Sequence, residues 1–230
     1  RIFLLDLLLE NIIFSYFFTI FCFVTVINGT NFLDGLNGLV LGYYLAIICV
    51  LFKLGLLSTV ISQNYLIIFL ILSLAFLLIL NTLEHLYLGD SGAYSIAFMV
   101  SFLLILIYKN TLYVSPFFII LMLWYPCFEN LFSILRKFRF KRSPLLPDNN
   151  HLHQLLFVFF KKKTKINQKY LNNFSSFIII LYNLIIFFLA SLNIGNTQFQ
   201  ILLVVFNITI YLFVYLRILS FLITNKTFQN

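Results

Sequence analysis

Apolar residues fill this chain in long blocks, and the breaks between them hold most of its polar side chains. Seven blocks fall at about 11–28, 36–54, 64–82, 93–109, 114–134, 173–192 and 199–222. Crossing ~30 Å of hydrocarbon at 1.5 Å per residue takes about 20 residues. Each block therefore predicts a membrane-spanning helix. The fold class is all-α, a polytopic transmembrane helical bundle of about seven spans, and residues 1–230 read as one integral membrane domain. Residues 1–10 read as the tail of an earlier helix, and no internal repeat is evident.

Composition agrees. The chain is 62% hydrophobic and 10% charged, with mean hydropathy +1.04, against about 25% charged residues in soluble domains. It opens on Arg1 without a basic region and small-residue cleavage site, so no signal peptide is read. Cys22, Cys49 and Cys127 lie in apolar blocks at no metal-ligand spacing and read as packing residues.

Charge orients the chain. The segment 135–170 carries 10 of the 15 basic residues and one acid, Asp148. Lys/Arg-rich loops stay cytoplasmic. Counting spans back from this one puts the breaks at 28–37 and 83–92 on the same side. Membrane orientation accounts for the charge, so nucleic acid is not read as a partner, whereas anionic membrane lipids are. Three polar clusters, far apart in sequence, are thus expected at one membrane face.

The first cluster is NGTNFLDGLNGL, residues 28–39. Asn28, Asn31 and Asp34 recur every third residue and Asn37 extends the series, which on a helix makes one polar stripe. Gly38 and Gly42 are spaced for close helix packing. A simple cap and turn would use the same residue types. The second cluster, NTLEHLYLGDSGAY at 81–94, places Asp90 among glycines at the expected start of a helix. There a carboxylate suits either a divalent cation that also binds phosphate or a helix cap. The third, KRSPLLPDNNHLHQLL at 141–156, predicts an irregular entry and a short helix from about His151. His151 and His153, two apart, do not share a helix face, so a metal pair on one helix is not expected. With Lys141 and Arg142 nearby they suit an anion. Pro126 predicts a bend in the fifth span. Glu129 beside it is an acid that must face protein or water, or sit at headgroup level.

Together these motifs resemble the polyprenyl-phosphate N-acetylhexosamine-1-phosphate transferases (glycosyltransferase family 4). That superfamily includes the undecaprenyl-phosphate GlcNAc-1-phosphate transferases and the phospho-MurNAc-pentapeptide translocases. NGTNFLDGLNGL is similar to the family's Asn-x-x-Asn-x-x-Asp-Gly-x-[Asp/Asn]-Gly-Leu motif, LGDSGA to Gly-Asp-x-Gly-Ser, and PCFEN to Pro-x-x-Asp. SPLLPDNNHLHQLL is similar to the Ser-Pro…Asp…His-x-His loop. The resemblance implies transfer of a sugar-1-phosphate from a UDP-N-acetylhexosamine to undecaprenyl phosphate, with release of UMP. This would be the first membrane step of cell-surface polysaccharide synthesis, run on the cytoplasmic face of the bacterial inner membrane. It implies Asp34, Asp90, His151 and His153 as catalytic residues and Asp90 as the Mg²⁺ ligand. Asn28, Asn31, Asn37, Tyr87 and Arg142 would be nucleotide or substrate contacts.

Ala93 stands where many members have serine, and Asn37 where many have aspartate, as in branches acting in capsule or O-antigen assembly. HLHQ resembles the GlcNAc-type branch. The family's Asp-Asp motif is not in this sequence. The expectation is that it precedes Arg1, on N-terminal helices this piece lacks, and that the piece alone is inactive. A homodimer is compatible with these features. The alternative reading is a membrane transporter or channel with cytoplasmic polar loops.

Overall fold

The structure is a computed structural model describing residues 7–139, 150–165 and 167–227, with backbone alone at 169 and 225–227. Among the described residues there are nine α-helices besides the helical residues 7–9, one short 3₁₀ turn at Leu57–Thr59, and no strand. The helices are α1 Ile12–Leu33, α2 Leu39–Lys53, α3 Asn64–Thr82, α4 Gly89–Asn110, α5 Pro116–Met122, α6 Trp124–Arg139, α7 Leu152–Lys163, α8 Gln168–Ser191 and α9 Thr197–Thr227.

Five of these (α1, α3, α4, α8 and α9) are long and apolar enough to cross a bilayer, and the bent pair α5–α6 makes a sixth candidate. The seventh expected span is α2, only 15 residues long. Almost every side of α2 is buried, Tyr43, Tyr44, Ile47 and Leu51 completely. A helix apolar all round belongs inside a bundle, and α2 is the bundle's centre. The outer helices instead turn large apolar residues outward, among them Phe17 and Ile20 on α1 and Phe69 and Leu72 on α3. Their hydrogen bonds close within each helix, so these faces suit lipid. The protein is a multi-pass membrane protein.

The bend expected at Pro126 is present, displaced by one turn. α5 and α6 meet at 73° across Leu123, while Pro126 lies in the first turn of α6. A proline ring collides with the carbonyl four residues earlier, here that of Met122. The freed Met122 carbonyl accepts instead from the buried Tyr43 hydroxyl at 2.7 Å.

Gly38 and Gly42 do not act as a packing pair. Gly38 is the left-handed N-cap of α2 (φ 78°) and faces Thr82 of α3, whereas Gly42 faces Ile180 of α8. The turn between α1 and α2 rotates Gly38 away from the helix face that carries Gly42. The close approach falls at Gly29, where an added methyl would lie 1.9 Å from the Pro126 carbonyl oxygen. The basic segment is also not one loop. α6 continues to Arg139 and α7 occupies Leu152–Lys163. Arg136 donates to the Tyr215 hydroxyl at 3.1 Å, and Lys163 lies over the rings of Phe159 and Phe221.

Candidate functional site

The site lies where α1 ends, α2 begins, α3 ends, and α4, α7 and α8 begin. Asn28 and Asn31 occupy the last turns of α1, and Asp34 is its C-cap. The polar stripe then breaks. The chain turns at 34–38, and Asn37 leaves the helix line to donate its backbone N–H to Asn172 Oδ1 of α8 at 2.8 Å. Gly38 N–H is accepted by the buried Asn81 side chain, whose amide donates to the Leu86 carbonyl at 2.8 Å. Asn173 donates to the Thr82 carbonyl at 3.0 Å. Asn81, Asn172 and Asn173 thus clamp the first two polar clusters together. Asn81 opens the second cluster, but nothing local in the sequence marks Asn172 or Asn173 as its companions.

Asp90 is exposed in the first turn of α4, not at its N-cap. The carboxylate nearest that helix start is Asp34, whose pKa the Gly89 N–H draws down. Half-burial raises Asp34 to about 6; the Gly89 N–H opposes the rise and the charge of Asp90 adds to it. The Asp90 charge opposes ionisation of Asp34, and a bound cation would relieve that. Among the described residues no group of three His, Cys, Asp or Glu could hold a metal. A magnesium ion binds well through one or two carboxylates plus phosphate oxygens and water, and this pair fits that pattern. Asn31 donates to the Tyr94 hydroxyl at 3.4 Å, Asn28 is exposed, and the Tyr87 ring projects from the α3–α4 loop at 74% exposure.

The histidines close the other side. His151 is the N-cap of α7, in extended conformation, so its ring is free of helical spacing and stacks on His153 at 5.7 Å and 12°. Phe32 of α1 lies against it at 4.8 Å. Both residues are buried. Burial above all, with His151 beside it, pushes His153 down to about 4 against the pull of Glu129, so its ring is neutral near pH 7. Neither His153 nitrogen has a hydrogen-bond partner among the described residues. A methyl placed on Gly35 would lie 3.2 Å from His153 Nε2, which brings the third cluster against the first.

Glu129 of α6 is fully buried, and its two oxygens are divided. One meets His151 Nδ1 at 2.9 Å and the other accepts the Leu152 N–H at 3.1 Å. The hydroxyls of Tyr125 and Tyr211 approach the same carboxylate without closing hydrogen bonds of standard geometry. Arg142 and its neighbours at 140–149 lie outside the described residues.

Fold and site define a class: a multi-pass helical membrane protein with two carboxylates and two histidines at one end of the bundle. Residues 1–108 match the model of glycosyl transferase family 4. The chain is 28% identical over 155 residues to the probable undecaprenyl-phosphate N-acetylglucosaminyl 1-phosphate transferase of Bacillus subtilis (strain 168), covering 63% of this chain and 41% of that protein. It is 28% identical over 153 residues to the undecaprenyl-phosphate alpha-N-acetylglucosaminyl 1-phosphate transferase of Escherichia coli (strain K12), covering 62% and 41%. It is 32% identical over 163 residues to the decaprenyl-phosphate N-acetylglucosaminephosphotransferase of Mycolicibacterium smegmatis (strain ATCC 700084 / mc(2)155), covering 62% and 40%. No solved structure matches it. Over its first 108 residues, just under half of its length, the chain is similar to glycosyl transferase family 4. It spans about two-fifths of the length of these curated relatives.

Proposed function

We propose that the whole protein transfers N-acetylhexosamine-1-phosphate from a UDP-sugar to undecaprenyl phosphate, releasing UMP, at the cytoplasmic face of a bacterial inner membrane. The observation that carries this reading is the convergence at Asp34–Gly35. Asp34 meets the start of the helix bearing Asp90, and the next residue lies against His153. Phosphoryl transfer needs little from a protein beyond positioning and neutralisation of charge; these residues offer positioning, and their carboxylates could hold a cation for the second.

Asp90, with Asp34 beside it, would hold Mg²⁺, which supplies charge neutralisation for the donor's diphosphate. Asp34 fixes the start of α4 and so aims Asp90. Asn28, Asn31 and Tyr87 lie where a nucleotide can reach them; Tyr87 has an open ring face for a base to stack on. His151 presents its second nitrogen to the sugar-phosphate. The acceptor's apolar chain has a berth in the ~510 Å³ cavity between α1, α4, α5 and α6, lined by Phe18, Cys22, Val26, Ile105, Ile120 and Cys127. Its lining includes Leu123, at the bend between α5 and α6. No observation favours the transporter or channel reading.

The test supplies the complete protein with radiolabelled UDP-N-acetylhexosamines, Mg²⁺ and undecaprenyl phosphate. Lipid-linked label with released UMP is expected. Release of UDP would mean plain glycosyl transfer and would refute the mechanism.

A further inference from the structure

Glu129 sits on α6, yet both its oxygens are used by the start of α7. A backbone N–H can only donate, so the oxygen facing Leu152 is an acceptor whatever the state of the histidine. The other oxygen lies 2.9 Å from His151 Nδ1. As a carboxylate it accepts too, so the ring must carry its proton on Nδ1. Nε2 makes no hydrogen bond of standard geometry among the described residues, although the capping box sets the Gln154 N–H towards the same ring, and it is left for a ligand.

We propose that Glu129 is the positioning residue of His151: it fixes the Nδ1–H tautomer, holds the ring against Phe32 and His153, and leaves Nε2 as the nitrogen offered to substrate. The same carboxylate stabilises the imidazolium whenever Nε2 takes a proton from a bound hydroxyl or phosphate. Charge for that pairing is in place before any ligand arrives, in surroundings supplied by Tyr125, Tyr211 and His153. Carboxylates that orient a functional imidazole through its far nitrogen govern both tautomer and basicity. What Nε2 faces rests on the proposed transferase reading; the tautomer does not.

A helix cap alone would also use Glu129, and one substitution separates the two roles. In Glu129→Gln the amide oxygen must still face the Leu152 N–H, which keeps the cap. The amide NH₂ then faces His151 Nδ1 and forces it to accept. The variant should therefore fold and reverse the tautomer. The chain has three histidines, so ¹⁵N-histidine NMR of the protein in nanodiscs is sparse, and His151→Asn identifies the signal. Wild type should show a protonated Nδ1, and Glu129→Gln a bare one. A bare Nδ1 in wild type overturns the proposal without any variant, as does a protonated Nδ1 that survives Glu129→Gln. In the transferase assay Glu129→Gln should lower kcat/KM by roughly 10- to 100-fold, with Glu129→Asp recovering part of the loss. Equal activity in wild type and Glu129→Gln would also overturn it. A wild type with no activity would remove the transferase reading and leave the tautomer standing.

Discussion

The two sides of the pocket are built differently. On the aspartate side, Asp90 is exposed, Asp34 is half-buried, and the two carboxylates repel. On the histidine side, Glu129, His151 and His153 are all buried, and a carboxylate, a ring and a helix start satisfy one another. One side brings two carboxylates together, and on the proposed function a cation would complete it. The other is preorganised by the protein alone. A difference of this kind makes the aspartate side sensitive in activity and the histidine side sensitive in stability.

The largest effects should break along that line. Glu129→Ala strips a buried pair and uncaps α7, and should cost about 3 kcal/mol or more of stability, read by thermal unfolding in detergent. Asp90→Asn, at an exposed position, should change stability by no more than about 0.5 kcal/mol. On the proposed reaction it lowers turnover by ~10²-fold or more. Equal stability losses for the two would erase the contrast.

Acid should pull the two sides in opposite directions. Asp34 is raised to about 6 in the folded state, above the ordinary value near 3.9. The folded chain thus holds that proton more tightly, and the contribution of Asp34 to stability falls as pH rises through about 4 to 6. His153 is lowered to about 4, below the ordinary value near 6.5. The unfolded chain binds its proton more readily, so its contribution rises with pH through about 4 to 6.5. Asp34→Asn should therefore leave a melting temperature that climbs over this window, and His153→Gln one that declines. Parallel curves for the two variants would contradict the assignment.

Smaller effects sharpen the scaffold around the site. Asn81→Ala leaves the Gly38 N–H and the Leu86 carbonyl unpaired and should cost about 1–2 kcal/mol, visible as a lower melting temperature. Tyr87→Ala should leave melting unchanged, since the ring is 74% exposed. If the ring stacks on the base, the donor KM rises roughly 3- to 10-fold.

Much of this architecture is legible in the residue order. Apolar blocks of bilayer length located every long helix to within a few residues, because hydrocarbon solvent enforces closed hydrogen-bonded helices. Asp34 and Asp90 stand out as carboxylates at helix ends in an apolar chain. Glu129 was conspicuous as an acid in a span, but its partner lies 22 residues later, beyond any local pattern. The histidine spacing pointed away from a shared face. Only the extended conformation of His151 as an N-cap lets its ring meet that of His153.

Sequence by itself determined the medium, the all-helical class, the end of the bundle that holds the polar clusters, and the chemistry available there. Those follow from hydrophobicity, length and charge, which act locally. Tertiary packing decided that Gly29 and not Gly38–Gly42 sets the closest helix approach, that three asparagines clamp the turns, and that Glu129 governs His151. Each depends on which helix faces become neighbours, and that is settled by side-chain shape across the whole bundle.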